Sequence, residues 1–178
     1  MPPERLKKTL PQLELRTKRR HENRPNPPDD FRTPHQRDRD RILYSSAFRR
    51  LAEVTQVVAA NSGYVFHNRL THSLQVGQVG RRIAEKLNQT QPESREFVSP
   101  DVVEAACLAH DLGHPPFGHT AEHTLNELAR NFGGFEGNAQ SFRIVTRLAS
   151  RSPNYSGLDL TAATLAASLK YPWLKGGN

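Results

Sequence analysis

The 178-residue sequence has little cysteine and no long apolar run. Its single cysteine, Cys107, excludes an internal disulfide. No segment approaches the roughly 18 apolar residues of a membrane-spanning helix, and no apolar stretch opens the chain as a secretory signal would. The apolar share is 35 % and the mean hydropathy is −0.70. We therefore expect one domain of ordinary size, no membrane partner and a cytoplasmic location.

Basic residues outnumber acidic ones two to one in the first 50 positions of the chain. The formal net charge is +7, and 14 of the 25 basic residues lie in the first 50 positions beside 7 of the 18 acidic ones. Seven of the 13 prolines fall in positions 1–36. This composition predicts an extended basic arm over 1–36, followed by a packed domain over 37–178. Single-stranded nucleic acid is a candidate partner of the arm, although positions 1–30 lack the aromatic side chains that stack bases.

Strand-like alternation is missing, and no internal repeat is present. Apolar residues instead recur at spacings of three and four, which predicts an all-α fold. We expect helices from Asp38, over 71–88, from Asp101, near His119, near Asn138 and over 159–170. The helix over 71–88 is the most clearly amphipathic, and its predicted face consists of His72, Val76, Val79, Ile83 and Leu87.

Four of the eight histidines lie in the string AHDLGHPPFGHTAEH at positions 109–123. The apolar helix that begins near Asp101 runs directly into His110 and Asp111, whose side chains are both good ligands for a divalent metal. Adjacent residues cannot complete a site, and His72 is the best candidate for a further ligand. The alternative is that the histidines are hydrogen-bonded core residues and that Asp111 caps a helix. Placing several titratable groups beside buried helices costs free energy unless they have partners. The set as a whole therefore favours a metal site over hydrogen-bonded core histidines.

The next helix places His119, Glu122 and His123 on one face. A histidine held by a carboxylate can act as a general acid or base near neutral pH. A solvated face, with Glu122 near the positive end of the helix dipole, is an equally good interpretation. The same residues also match the H-x-x-E-H pattern of zinc peptidases, in which both histidines bind zinc. That pattern needs a further ligand, usually acidic, from a later helix, and no Glu follows Glu136.

Four segments in order, FRRLAEVTQV, HNRLTHSLQV, AHDLGHPPFGH and FEGNAQSFRI, resemble the HD-domain superfamily. Within it they are similar to the bacterial deoxyguanosine triphosphate triphosphohydrolase-like proteins, from about Arg32 to Trp173. The resemblance implies an HD-domain helical bundle that hydrolyses a deoxynucleoside triphosphate at the α-phosphate to deoxynucleoside and tripolyphosphate. It also implies a divalent ion, Mg²⁺ or Mn²⁺, and assembly as a homo-oligomer.

The resemblance also implies roles for individual residues. The metal ligands are His72, His110 and Asp111, while His119 and Glu122 are catalytic. The substrate-binding residues are Gln56, which contacts the deoxyribose 3′-hydroxyl, Arg69 and His114, which contact phosphate, and Asn138.

One departure from the family pattern concerns a fourth metal ligand, an aspartate on a later helix. The only acidic residue after Glu136 is Asp159, which precedes an alanine-rich helix and lies outside the expected motif. We therefore expect the chain to be the N-terminal portion of a longer enzyme, with a bundle incomplete at its C-terminus. An inactive remnant that binds nucleotide or nucleic acid without turnover is the alternative.

Overall fold

The computed structural model describes residues 10–21, 28–54 and 68–170. Within these segments the chain is helical and contains no β-strand, which confirms the predicted all-α class. The α-helices of the described segments are α1 (Leu10–Thr17), α2 (Pro34–Leu43), α3 (Ser46–Arg50), α4 (Arg69–Thr90), α5 (Pro100–Ala109), α6 (Gly118–Leu128), α7 (Gly137–Arg143) and α8 (Ala162–Ala167). Short 3₁₀ turns cover Pro92–Glu96 and Arg130–Phe132, and a π-helical turn covers Ile144–Leu148.

The helices follow the sequence signals closely in the middle of the chain. Thr33 and Gln36 form a capping box at the start of α2, and the Asn68 side chain accepts a hydrogen bond from Thr71 N at the start of α4. The last helix is shorter than predicted, because α8 spans only Ala162–Ala167. Of the helices in the described segments, none combines the length and the apolar character that a bilayer crossing needs.

The hydrophobic core lies where α2, α5 and the segment before α8 meet. α5 is apolar on most of its surface, as predicted, and it buries Val102, Ala105, Leu108 and Ala109. Side chains from the neighbouring segments complete this core, among them Ile42, Leu51, Leu112, Val145, Leu158 and Leu160. α5 therefore occupies the centre of the fold, and the residues that follow it begin at the edge of the core.

The buried face of α4 differs from the predicted one. Val79 is 58 % exposed and Ile83 is 64 % exposed, whereas Ser73, Gly77 and Ala84 are buried. Small residues face α5 because the two helices approach closely. A Cβ atom on Gly77 would lie 3.0 Å from Leu108 Cδ2, and one on Gly80 would lie 2.6 Å from Cys107 Sγ. Of the predicted face, His72, Val76 and Leu87 are half-buried while Val79 and Ile83 are exposed, so apolar periodicity finds this face only in part.

The N-terminal arm is helical over Leu10–Thr17, where the sequence predicts extended chain. Pro11 lies in the first turn of α1, where a missing N–H breaks no helical hydrogen bond. Arg16 then donates hydrogen bonds to the carbonyls of Glu96 and Phe97, ahead of α5. The boundary predicted after position 36 stays a prediction, and α2 begins at Pro34.

A cluster of five residues joins the N-terminal arm and α2 to the segment just before α8. We call it the Asp38 clamp, and it consists of Arg19, Asp38, Arg41, Asp159 and Thr161. Asp38 is fully buried, and its carboxylate pairs with Arg19 Nη1 at 2.5 Å. Its other oxygen accepts hydrogen bonds from Thr161 N at 2.9 Å and Thr161 Oγ1 at 2.6 Å. Arg19 and Arg41 both donate to the carbonyl of Asp159, whose φ is +50°. Every charge in the clamp has a partner, as burial requires.

We expect Asp38→Ala to lower the free energy of unfolding by about 3–5 kcal/mol, because it leaves the buried guanidinium of Arg19 without its carboxylate. The control is Glu127→Gln, which breaks the exposed pair with Arg130 and should change stability by at most about 1 kcal/mol. Urea titrations followed by circular dichroism measure both. Equal, small effects of the two substitutions would show that the clamp contributes little.

A second prediction concerns the stability of the protein as a function of pH. Burial lowers the pKa of His35 below 6.5, and this outweighs the opposite influence of Asp38. The unfolded chain therefore binds a proton that the folded chain does not, so stability falls as the pH drops below 6.5. His35→Gln should lose less stability than the wild type between pH 7.5 and 5.5, in urea titrations at both values. Parallel losses in the two proteins would contradict this assignment.

Candidate metal centre

His72, His110 and Asp111 meet where α4 packs against the end of α5. His72 lies in the first turn of α4, while His110 directly follows α5 and Asp111 lies in the next turn. One potential ligand atom from each of the three lies within 4.8 Å of the other two. The imidazole centroids of His72 and His110 are 5.3 Å apart. The structure thus brings together the three residues that the sequence predicts as metal ligands.

The local hydrogen bonds prepare His110 to bind a cation. Its Nδ1 lies 2.6 Å from the carbonyl oxygen of Cys107, one turn earlier. Because a carbonyl only accepts, Nδ1 carries the proton and Nε2 keeps its lone pair. Two imidazoles and one carboxylate form a donor set that suits a divalent metal. The residues therefore fit a metal ion on the chemistry of their donors and on the orientation of His110.

Asp111 also has a charged protein partner. Its Oδ2 lies 2.9 Å from Arg69 Nη1, and both side chains are more than nine-tenths buried. Arg69 Nη2 donates to the carbonyl of Pro115 at 3.3 Å, which ties the guanidinium to the loop after Asp111. The residue predicted to contact phosphate is thus anchored against a predicted metal ligand. Its guanidinium still contributes to the wall of the adjacent cavity.

A cavity of about 500 Å³ opens beside these residues. At its far wall the chain turns into α6 through Phe117 and Gly118, which have φ values of +64° and +60°. Non-glycine residues with positive φ are uncommon and concentrate at functional sites. The cavity is lined by Arg69, His72, Asp111, His114, Phe117, Gly118 and His119. Five of these are site residues predicted from the sequence.

His119 and Glu122 form a hydrogen-bonded pair at the edge of the cavity. His119 Nδ1 lies 3.0 Å from Glu122 Oε2, and Glu122 Oε1 accepts a hydrogen bond from Gly137 N at 2.7 Å. The imidazole of His119 is 94 % exposed, whereas the Glu122 side chain is 15 % exposed. Each oxygen of the Glu122 carboxylate therefore has a hydrogen-bond partner. The carboxylate orients the imidazole of His119 through Nδ1, and the second ring nitrogen, Nε2, points away from Glu122.

His114 lies between these two groups. Its Nδ1 is 3.5 Å from Asp111 Oδ1, and its ring packs against the Cα of Gly137, where a Cβ would lie 2.9 Å from the ring. Burial lowers the pKa of His114 below its ordinary value, and this outweighs the opposite effect of Asp111. The side chain is thus a neutral imidazole at pH 7, able to donate one hydrogen bond to a ligand in the cavity.

The other predicted residues lie elsewhere. Asn138 is in the first turn of α7, where both its backbone and its side-chain nitrogens contact Glu136 Oε1, and it does not line the cavity. Burial raises the pKa of Glu136, but hydrogen bonds from Ala139 and Asn138 outweigh it and lower that pKa overall. Gln56 lies outside the described residues.

The zinc-peptidase alternative lacks a matching ligand group in the part of the chain that the structure describes. There, His72, His110 and Asp111 are the sole group of three His, Cys, Asp or Glu side chains close enough to share an ion. His119 and His123 do not belong to it, and His119 is engaged by Glu122 instead.

Two residues missed in the sequence complete the surroundings of the site. Gly137 donates its amide to Glu122, and Ser141 contacts the turn that follows His110. Both lie in the FEGNAQSFRI segment. The feature of the sequence that could have pointed to them is a glycine one helical turn before a serine. That signal is weak, since neither residue type is itself a metal ligand or a proton donor of suitable pKa.

A histidine–aspartate pair at the end of a central helix, joined by a histidine from the neighbouring helix, defines a helical metal-binding domain. The chain belongs to the HD domain family, whose profile matches residues 69–175. The matched range contains all of the predicted site residues except Gln56. The order of the histidines, the aspartate and the following loop thus agrees with the family assignment.

Curated relatives resemble most of the chain. A deoxyguanosinetriphosphate triphosphohydrolase-like protein of Shewanella pealeana is 50 % identical over 145 residues, which is 81 % of this chain and 32 % of the relative. The protein of the same description from Streptomyces coelicolor is 52 % identical over 155 residues, covering 83 % and 34 % of the two chains. The chain spans about a third of the length of the curated relatives it matches.

Arg69→Gln tests the pairing of Arg69 with Asp111. In metal-free protein we expect a loss of about 3 kcal/mol of stability, because the buried carboxylate of Asp111 loses its counter-charge. Mn²⁺ should recover part of this loss, since a bound cation stabilises the folded state. Thermal unfolding with and without Mn²⁺ measures both effects.

Arg130→Gln is the matched control, since it removes an exposed arginine from a pair with Glu127. It should cost at most about 1 kcal/mol, and Mn²⁺ should stabilise it no more than the wild type. An Arg69→Gln protein as stable as this control would contradict the pairing.

Proposed function

We propose that this chain supplies a divalent-metal-dependent active site that hydrolyses deoxynucleoside triphosphates to deoxynucleoside and tripolyphosphate. The observation that carries the proposal is the grouping of His72, His110 and Asp111 beside a cavity that His72 and Asp111 line together with Arg69 and His119. Membership of the HD domain family and the similarity to deoxyguanosinetriphosphate triphosphohydrolase-like proteins support it.

His72, His110 and Asp111 would hold the ion, with Mg²⁺ and Mn²⁺ as the expected metals. When bound, such an ion polarises phosphoryl oxygens and offsets the negative charge that develops during displacement at phosphorus. Asp111 would contribute the carboxylate ligand, and its contact with Arg69 at 2.9 Å fixes the direction of that carboxylate.

Arg69 and His114 would bind the phosphates. Arg69 carries five N–H donors, and its Nη1 and Nη2 are engaged with Asp111 and the Pro115 carbonyl. Its remaining donors and its charge favour an anion in the cavity. His114, held neutral by burial, adds a donor beside the same space. A triphosphate is the class of substrate that this combination suits.

His119 would transfer the proton that the reaction requires. Attack of water on the α-phosphorus breaks the bond to the 5′ oxygen, which must gain a proton as the deoxynucleoside leaves. Glu122 holds Nδ1 of His119, so Nε2 would be the nitrogen that transfers the proton. The carboxylate also orients the imidazole, and histidine is the side chain best suited to proton transfer in this role.

The test is tripolyphosphate release from dGTP and the other deoxynucleoside triphosphates by the purified chain in Mn²⁺. We expect His110→Ala to abolish release and to lose bound Mn²⁺ by elemental analysis, because it removes a ligand. His123→Ala is the control, since this residue shares α6 with His119 but does not line the cavity. It should keep wild-type release.

Two results would count against the proposal. Absence of tripolyphosphate from every deoxynucleoside triphosphate, together with absence of bound metal, would overturn it. Binding of metal and nucleotide without release would instead favour the alternative of a domain that binds nucleotide and lacks turnover.

A further inference from the structure

Ser141 is a buried hydroxyl on α7 that belongs to neither the metal ligands nor the proton-transfer pair. Its Oγ accepts a hydrogen bond from Gly113 N at 2.9 Å. The same oxygen lies 3.0 Å from the carbonyl of His110 and 3.0 Å from the carbonyl of Gly137. A hydroxyl has one proton, so Ser141 donates to one of these carbonyls at a time while it accepts from Gly113. Both ends of the turn that carries Asp111 therefore lie within hydrogen-bond distance of one side chain.

The turn packs directly on the backbone of α7. A Cβ on Gly113 would lie 2.2 Å from Ser141 N and 2.5 Å from the carbonyl oxygen of Gly137. Side chains cannot enter so small a space, so the position of the turn is set by the position of α7. Asp111 lies within this turn, and His110 lies immediately before it. The placement of both residues therefore depends on the contact between the turn and α7.

The first turn of α7 also contacts the second half of the site. Gly137 N donates to Glu122 Oε1 at 2.7 Å, and Glu122 in turn holds His119. The Cα of Gly137 packs against the ring of His114. The serine and the glycine are one helical turn apart, and Ser141 Oγ is within hydrogen-bond distance of the Gly137 carbonyl.

We propose that Ser141 is a positioning residue that fixes the His110–Asp111 turn relative to the His119–Glu122 pair. It acts through Gly113, His110 and Gly137 and touches neither metal nor substrate. The inference rests on the proposed function, because the groups that Ser141 aligns are the proposed metal ligands and proton donor. Displacement of the turn would weaken metal binding even where the fold is intact.

Ser73 provides a matched control. It is also buried, it directly follows the predicted ligand His72, and its hydroxyl has no hydrogen-bond partner among the described residues. Ser73→Ala and Ser141→Ala therefore delete the same atom beside a metal ligand, but only the second removes hydrogen bonds. A general effect of losing a buried hydroxyl would appear in both variants.

The experiment measures the Kd for Mn²⁺ by electron paramagnetic resonance, at a temperature where circular dichroism shows each variant folded. We expect Ser141→Ala to bind Mn²⁺ about ten-fold more weakly, as for other residues that orient metal ligands, and Ser73→Ala to bind within about two-fold of the wild type. Ser141→Cys, which fills the space but forms weak hydrogen bonds, should resemble Ser141→Ala and serves if the alanine variant does not fold.

A second measurement follows the Gly113 amide by hydrogen exchange in metal-free protein. It should exchange about ten-fold faster in the Ser141 variants, since one hydrogen bond contributes about a factor of ten, and at the wild-type rate in Ser73→Ala. Unchanged Mn²⁺ affinity in the Ser141 variants overturns this inference and leaves the proposed function intact. If the wild type binds no Mn²⁺, the proposed function fails, and unchanged Gly113 exchange then overturns the role of Ser141 as well.

Discussion

The close approach of α4 to α5 is the constraint on which the site depends. His72 lies on one of these helices, whereas His110 and Asp111 follow the end of the other. Because Gly77 and Gly80 have no Cβ, the backbone of α4 approaches side chains of α5 more closely than a larger residue at these positions would permit. Because the core packs around α5, the position of His110 is set by burial, and the helix contact then brings His72 to it. The grouping of these three side chains is thus a consequence of helix packing.

Several arginines of this basic protein are engaged in ion pairs within the fold. Arg19 and Arg41 belong to the buried Asp38 clamp, and Arg32 pairs with Asp30 and Asp40. The described residues of the arm do not line the cavity beside the metal centre. Two of the arginines near the N-terminus, Arg19 and Arg41, therefore join the N-terminal part of the described chain to the segment before α8. Such pairing reduces the weight of net charge as an argument for nucleic-acid binding.

The sequence predicts the ligand set better than it predicts the surfaces around it. His72, His110 and Asp111 are identifiable because metal ligands must be of particular residue types, and the motifs preserve their order. The buried face of α4 cannot be identified in this way. Its buried residues Ser73, Gly77 and Ala84 are small or polar, whereas the strongly apolar Val79 and Ile83 are exposed. Close helix contacts select for small size, which a hydropathy pattern does not measure.

Backbone-mediated contacts are the other feature that the sequence does not reveal. Glu122 is held by the amide of Gly137, and the turn after His110 is held by Ser141. Backbone amides are present at every non-proline residue, so only the three-dimensional fold shows which of them a side chain reaches. Asp159 illustrates the converse, since its chemistry suits a metal ligand, yet it lies buried in the Asp38 clamp.

The ligand set itself carries an argument about catalysis. Mg²⁺ and Mn²⁺ favour six ligands, and His72, His110 and Asp111 offer one atom each. A metal held by few protein side chains keeps positions for water and substrate oxygens, as catalytic metal sites do. Asp111 belongs to this set and also contacts Arg69 at 2.9 Å. A phosphate bound in the cavity would then face both the metal ion and the guanidinium of Arg69. Because Asp111 contacts Arg69 and would also bind the metal, it would hold these two positive groups in place against the negative charge of the phosphate.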